Sequence, residues 1–313
     1  MYKFDYELLT FLKNQFQEVV GVKKYQKEES DIDKSVLQFY LKNLDDNLIY
    51  AMNAKHKAEY CEGSGNELEG KMLSLRSSSA MTFNLLGNDS VKISRGKKIG
   101  KGEYSVEYEK KIPTLKTSGP ANLDAFLYNK NTQEGILCEM KMLEWLLNSP
   151  GGLKTAYFEE KNYEHSEAYQ CFSKLAEKLV EKEVVEDVRK PRFKHYDALQ
   201  MFKHTLAAYN GCCKKDELPP LKKLTLVNCV WELPRLEIEE LPEKICLRYE
   251  KRADSEHDGF KQFKDIMIQD VKGLFEKRGI DFAIEYYSVV DFLNMLEKKA
   301  YETEYLKRYT FAK

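Results

Sequence analysis

The sequence lacks the features that would place the chain in a membrane or outside the cell. No apolar run approaches the roughly 20 residues that a membrane-spanning helix needs, and the first residues, MYKFDYELLTFLKN, do not follow the basic and then apolar pattern of a secretory signal. Proline is scarce, with 8 residues in 313, and no Pro/Ser-rich linker or internal repeat divides the chain. We expect a cytoplasmic protein with no membrane partner.

Cysteine and histidine patterns that bind metals or form disulfides are also missing. The 7 cysteines are odd in number, no two are spaced as CxxC, and the 5 histidines have no ligand-like spacing. This usage indicates reduced, mostly buried thiols and argues against a structural zinc site. The adjacent pair Cys212 and Cys213 has no pattern of His or acid around it that would indicate a reactive thiol.

Charge of one sign is not in excess. Fifty basic and 51 acidic residues give a net charge of -1, so a surface that binds nucleic acid must come from local segregation of charge. The segment VKISRGKKIGKG (91–102) is basic and contains no acid. It is a solvated turn or a loop that contacts the phosphate backbone. The candidate phosphate contacts are Arg95, Lys97, Lys98 and Lys101.

Hydrophobic periodicity predicts an α/β fold. Helical spacing prevails in residues 1–60, where Asp31 or Asp33 can cap a helix that continues through Phe39 and Leu48. The other predicted helices are 73–87, 166–183, 196–209 (stopped by Gly211), 257–278 and 291–308. The predicted strands are 104–112, 123–128, 135–142, 222–233 and 281–289. We expect one compact protein in which a helical N-terminal extension, 1–60, packs on an α/β domain, 61–313.

Three charged residues, Asp124, Glu139 and Lys141, lie within the two predicted strands of the stretch NLDAFLYNKNTQEGILCEMKMLEW (122–145). Because side chains alternate along a strand, Glu139 and Lys141 point to one face, while Cys138, Met140 and Met142 point into the core. The turn 129–134 joins the two strands of a hairpin.

The register of that hairpin decides where Asp124 lies. Pairing Tyr128 with Gly135 sets Asp124 opposite Glu139, and pairing it with Ile136 shifts Asp124 by one residue. In both registers Asp124 lies near Glu139 and Lys141.

Two carboxylates that converge repel each other, and burying them is costly unless a cation neutralises them. A hard, oxygen-liganded ion such as Mg²⁺ suits Asp124 and Glu139, and a lysine beside it, here Lys141, can hold a water while the ion polarises a phosphodiester. The alternative is a solvent-facing hairpin with a cross-strand salt bridge. The flanking runs AFLY and ILC are continuously apolar, which favours central strands.

The residues LDAFLY and GILCEMK resemble the signature of the PD-(D/E)xK nuclease superfamily, with Leu123 in place of a proline that varies widely. The resemblance covers about residues 60–235. It implies the restriction-endonuclease-like fold, a central mixed β-sheet flanked by helices. It also implies Asp124 and Glu139 as ligands of Mg²⁺ or its substitute Mn²⁺, the Met140 carbonyl as a further ligand, and Lys141 as the catalytic lysine.

The upstream segments GSGNELEG and RSSSAMTFNLLG resemble a less-studied, bacterial-type branch of these nucleases. Many superfamily members carry an extra glutamate near the metals. Glu67 is the first candidate for that role and Glu62 is the second. The alternative is that Glu67 is an exposed loop carboxylate. Some members use a glutamine on the helix after the motif, and Gln200 is the candidate for that role. The alternative is that Gln200 is an ordinary polar residue on an amphipathic helix. Ser78, within the run 77–79, is either a phosphate donor or part of a capping run.

The resemblance predicts a metal-dependent nuclease, a DNA endonuclease rather than an RNA enzyme, and it leaves a homodimer open. One rival is an inactive nucleic-acid-binding or protein-interaction module of the same fold. A second rival is a structural α/β protein in which the hairpin salt bridge is incidental. His195 and His204 are interpreted as surface or core histidines.

Overall fold

A computed structural model gives the structure of the chain. It describes residues 3–21, 25, 39–62, 67–96, 98–143, 146, 150–214, 216–233, 241–297 and 302–310. The expected fold class is confirmed, since a mixed β-sheet is flanked by helices and a helix lies at the N-terminus.

Five of the described strands correspond to the predicted ones, and the other four were not predicted. They are β1 (Ser90–Ile93), β2 (Gly102–Ile112), β3 (Ala121–Asn129), β4 (Glu134–Lys141), β5 (Leu153–Lys154), β6 (Val180–Val185), β7 (Val188–Pro191), β8 (Lys223–Val230) and β9 (Asp281–Ser288). The described α-helices are α1 (Lys3–Gln15), α2 (Ala54–Cys61), α3 (Ser78–Leu86), α4 (Ser166–Leu179), α5 (Ala198–Cys213), α6 (Glu243–Glu276), α7 (Val289–Met295) and α8 (Glu302–Thr310).

Six strands form the main sheet, in the order β1-β2-β3-β4-β8-β9. Strands β1 to β4 are antiparallel neighbours, whereas β4, β8 and β9 run parallel and are joined by long crossovers that contain α4, α5 and α6. Between β3 and β4, Tyr128 pairs with Gly135, which selects the register that sets Asp124 opposite Glu139.

The sheet separates two apolar cores. Cys138, Met140 and Met142 are buried on the face that packs against α1 and α3, as predicted. Leu137 is buried on the opposite face, under α4, α5 and α6. Because strand side chains alternate, Glu139 shares the face of Leu137 and lies at the rim of the second core.

Ser77, the first residue of the serine run 77–79, caps α3. The Ser77 hydroxyl accepts a hydrogen bond from the amide of Ala80 and begins the helix. Gly87 ends it with φ +67, a backbone conformation that favours glycine. The predicted helix and its glycine stop are confirmed.

The predicted helix through Phe39 and Leu48 is wrong for residues 39–53. Leu41 takes a short extended path, and its amide donates to the carbonyl of Leu73. The Asn47 side chain donates to the carbonyls of Met72 and Ser74, so tertiary hydrogen bonds override the helical spacing. A helix begins only at Ala54, capped by Asn53. Asp31 and Asp33 lie outside the described residues.

Four other boundaries differ from the sequence prediction. Helix α4 ends at Leu179 because Val180 begins β6, and α5 continues through Gly211 to Cys213. Helix α6 begins at Glu243, well before the predicted residue 257. The predicted helix 291–308 is two helices, α7 and α8. Among the described residues, no helix is long and apolar enough to cross a membrane.

Candidate active site

A cavity of about 530 Å³ opens beside the β2-β3-β4 part of the sheet, and five carboxylates contribute to its wall. In the ladder, Tyr108 pairs with Ala125 and Lys110 pairs with Leu123, so Glu109 of β2 lies opposite Asp124 of β3. One step beyond the last β3–β4 pair, Asp124 lies opposite Glu139. The carboxylates that line the cavity are Glu67, Glu109, Asp124, Glu139 and Asp197.

Asp124 is half-buried, and its side chain takes the place of a backbone acceptor between β3 and β4. Its Oδ2 accepts a hydrogen bond of 2.6 Å from the amide nitrogen of Met140, at the point where β3 and β4 stop pairing. Burial raises the pKa of Asp124 well above its usual value, and the negative charges of Glu139 and Glu109 raise it further. The Met140 amide and the charge of Lys141 lower this pKa only in part, so the ionised form of Asp124 is disfavoured in this site.

Glu139 is 3% exposed, and both of its oxygens are hydrogen-bonded. Oε1 lies 2.7 Å from Lys141 Nζ and also accepts from Gln200 Nε2 at 2.7 Å, while Oε2 lies 2.9 Å from His204 Nε2. Burial by itself raises the pKa of Glu139, but the neighbouring Lys141 and His204 outweigh it and hold the pKa below its usual value. Glu139 is therefore the ionised member of the pair.

Helix α5 supplies two partners of Glu139. Gln200 and His204 are four residues apart and lie on one face of the helix, whose start is capped by Asp197. Gln200 Oε1 also accepts from Lys141 Nζ at 2.5 Å, so this glutamine holds the lysine and the glutamate together. The structure thus brings Gln200, for which an ordinary polar helix position was the alternative, into contact with Glu139 and Lys141.

His204 is a site residue that the sequence interpretation missed. It is buried and bound to Glu139. Its i+4 spacing from Gln200 is the signal that indicates it, because the two side chains must share a helix face.

Glu67 lies in the turn before α3 rather than on a helix. It is buried, and its carboxylate accepts from Lys71 Nζ at 2.6 Å and from Ser79 Oγ at 3.0 Å. The structure brings it to the same cavity as Asp124. Glu62 is exposed and does not line this cavity.

Glu109 is a second residue that the sequence interpretation missed. It has φ +51 inside β2, where L residues are strained, and its carboxylate accepts a hydrogen bond from the Asn122 side chain. Burial raises the pKa of Glu109 to about 7, helped by the charges of Glu67 and Glu139. The alternation of YSVEYEKKI puts Glu109 on the polar face, but only the register across β3 places it beside Asp124.

Ser78 lines the cavity, whereas the basic segment does not. The Gly100 amide donates to Glu134 at the first residue of β4, and Glu139 is five residues further along, about 17 Å at the usual rise. Lys98 also pairs with Glu285 at 2.7 Å. Arg95 and Lys101 are exposed, and Lys97 lies outside the described residues.

The donor types suit a hard divalent cation, since Asp124 and Glu139 lie opposite each other on adjacent strands and both are carboxylates. In the described part of the chain, no three Asp, Glu, His or Cys side chains already converge on one point. Asp124 is turned to the Met140 amide and Glu139 to Lys141. An ion held by this pair would therefore compete with those hydrogen bonds.

Comparison with known proteins gives one match. The model of a family described as "Restriction Endonuclease associating with ARP" matches residues 12–231, which is more than half of the chain and contains every residue that lines the cavity. No curated protein and no solved structure matches the chain.

Proposed function

The chain belongs to the family of restriction endonucleases associating with ARP, and on that premise we propose that it is a Mg²⁺-dependent DNA endonuclease of the PD-(D/E)xK type. The observation that carries the proposal is the placement of Asp124, Glu139 and Lys141 around one cavity, with the two carboxylates opposite each other on adjacent strands.

Asp124 and Glu139 are the proposed ligands, with Mn²⁺ as a substitute for Mg²⁺. The raised pKa of Asp124 supports this role, because a cation would relieve the repulsion that now disfavours its ionised form. When bound, the ion supplies charge that polarises a phosphodiester and lowers the pKa of a water. The Met140 carbonyl and Glu67 are proposed as further ligands.

Lys141 is the proposed catalytic lysine. Glu139 and Gln200 hold its ammonium group at the wall of the cavity, where it presents positive charge to an anionic phosphodiester and can orient a water by hydrogen bonding. Gln200 and His204 are positioning residues, because they fix the carboxylate of Glu139 on both oxygens. Ser78 is a proposed donor to a phosphate oxygen.

The basic residues Arg95, Lys98 and Lys101 are proposed contacts to the phosphate backbone at a distance from the cut. About 17 Å along β4 corresponds to roughly five steps of a DNA strand at 3.4 Å each. A duplex that reaches both the cavity and this segment must therefore lie along the strands of the sheet.

The family name supplies one partner for the proposal, an association with ARP. A homodimer is the other assembly that we propose, because two copies would allow both strands of a duplex to be cut.

The test is Lys141→Ala, which should abolish Mg²⁺-dependent cleavage of duplex or single-stranded DNA and leave the fold intact. Lys223→Ala is the matched control, because Lys223 pairs with Glu134 at the other end of the sheet. Asp124→Ala should abolish the calorimetric binding of Mg²⁺. A wild-type protein that binds no divalent cation, or an Asp124→Ala protein that binds it unchanged, would disprove the site.

A gel experiment separates the two rival functions. An inactive binding module would shift DNA with a steep dependence on salt and would leave it uncut at every Mg²⁺ concentration. A purely structural protein would neither shift nor cut it.

A further inference from the structure

A second cavity, of about 330 Å³, lies at the carboxyl ends of the parallel strands β8 and β9, apart from the proposed nuclease residues. Ligands of open α/β sheets commonly bind at this edge. The cavity is lined by Glu232, His257, Phe260, Tyr286, Ser288 and Asp291.

Glu232 is held in a fixed orientation in this cavity. Its Oε1 accepts hydrogen bonds of 2.7 Å from both His257 Nε2 and the Tyr286 hydroxyl. Burial by itself raises the pKa of Glu232, but these two donors outweigh it and hold the pKa below its usual value. The other oxygen, Oε2, makes no hydrogen bond to any residue that the structure describes. This half-buried anion thus keeps one oxygen available for a donor from outside.

Aromatic rings form the rest of the wall. The Tyr286 ring lies 5.2 Å from the His257 ring at 89° and 5.2 Å from the Phe260 ring at 51°, measured between centroids. The hydrogen bond from its hydroxyl to Glu232 fixes the Tyr286 ring. Ring faces attract cations, and the attraction grows when the cation loses water.

Further carboxylates surround the same cavity. Asp291 accepts a hydrogen bond of 2.8 Å from the Ser288 hydroxyl and lines the wall opposite α6. Asp254 and Asp258, on the same helix as His257, raise the pKa of that imidazole together with Glu232, whose hydrogen bond has the largest effect. The raised pKa favours the cationic form of His257, but Glu232 and Asp291 are two carboxylates against this one imidazole, so the lining keeps a net negative charge that is complementary to a cation.

We propose that this cavity binds the guanidinium group of an arginine side chain on a partner protein. A guanidinium is flat, stacks on aromatic rings and donates several hydrogen bonds in one plane, so it can contact the Tyr286 ring and Glu232 Oε2 together. An ammonium group is compact and strongly hydrated, and it fills such a cavity less well.

A nucleobase also stacks on aromatic rings, but the charges disfavour it. The phosphates attached to a base would be drawn close to Glu232 and Asp291, and like charges repel. The site does not depend on the proposed nuclease reaction, so it can be tested without cleavage.

The experiment is an NMR titration of the full-length protein, followed at the ring protons of His257, with the capped tripeptide acetyl-Gly-Arg-Gly-amide. The peptides with citrulline and with lysine in place of arginine are the matched ligands, and citrulline has nearly the same shape without the charge. Glu232→Gln and Tyr286→Leu should each weaken arginine binding by about tenfold. Asp270→Asn is the control, because this exposed carboxylate of α6 pairs with the exposed Lys178 and does not line the cavity.

Binding of the arginine peptide that is lost with citrulline and weakened in both variants supports the proposal. Absence of arginine binding, equal binding of citrulline, or unchanged binding in Glu232→Gln overturns it. Equal binding of the lysine peptide overturns the choice of a guanidinium. Binding of a short dC oligonucleotide that Tyr286→Leu abolishes would show a base subsite and would also overturn the proposal.

Discussion

His204 Nε2 lies 2.9 Å from Oε2 of Glu139, a residue 65 positions earlier in the chain. The contact joins the middle of α5 to β4, and Gln200, one turn before His204, occupies the other oxygen of the same carboxylate. The orientation of the Glu139 carboxylate is thus fixed by α5 as well as by its own strand, β4.

Replacing His204 should reduce cleavage without abolishing it. His204→Leu removes the hydrogen bond to Oε2 of Glu139, and loss of such a supporting contact typically costs about 10- to 100-fold. The loss should appear in kcat at saturating Mg²⁺. His204→Gln, whose amide can donate to the same oxygen, should retain more activity. Equal loss in both variants, accompanied by unfolding in circular dichroism, would indicate a purely structural role.

Asp124→Asn should stabilise the metal-free protein while it removes activity. The amide oxygen can still accept from the Met140 amide, and an amide avoids the cost that burial and the negative charges of Glu139 and Glu109 impose on a carboxyl that the unfolded state ionises at neutral pH. Urea denaturation in EDTA should give a higher free energy of unfolding for the variant. Mg²⁺ should stabilise the wild type and leave the variant unchanged, since only a ligand of the folded state shifts the equilibrium. A less stable variant in EDTA would contradict the proposed repulsion.

Glu256 should make the stability of the protein fall as the pH rises. This carboxyl is 2% exposed, and burial raises its pKa to about 8. The folded state therefore binds the proton more tightly than the unfolded state, so the contribution is complete below the ordinary pKa of about 4.5 and is lost as the pH approaches 8. Glu256→Gln should remove this pH dependence, which amounts to about 5 kcal/mol of unfolding free energy over the whole range.

Urea denaturation between pH 5 and 9 measures the effect of Glu256. Glu276→Gln, at the exposed end of the same helix, is the control. If the slope persists in Glu256→Gln, other groups cause it.

Removing the exposed basic residues should weaken DNA binding without changing the chemistry. Arg95→Ala and Lys101→Ala should each lower the slope of log affinity against log salt by about 0.9. Lys98→Ala should have a smaller effect, because Glu285 already neutralises Lys98. Lys92→Ala is the control, since Lys92 of β1 pairs with Glu297. If the salt dependence of affinity is unchanged in all of these variants, the duplex does not contact this basic segment.

Local sequence determined the strands of the hairpin and the direction of its charged side chains. Period-two alternation sends Glu139 and Lys141 to one face and Cys138 to the other, whatever surrounds the hairpin. The strands β2, β3, β4, β8 and β9 could be predicted for the same reason, because short-range alternation and flanking turns define them.

Tertiary structure decided what surrounds those charges. The parallel pairing of β4 with β8 needs a crossover of many residues, and this crossover is what brings Gln200 and His204 to Glu139. The left-handed backbone at Glu109 and its position opposite Asp124 depend on the register with β3. Pairing between distant segments cannot be predicted from a local pattern of residues. The sequence therefore indicated Asp124, Glu139 and Lys141, and the fold brought the other residues of the site to them.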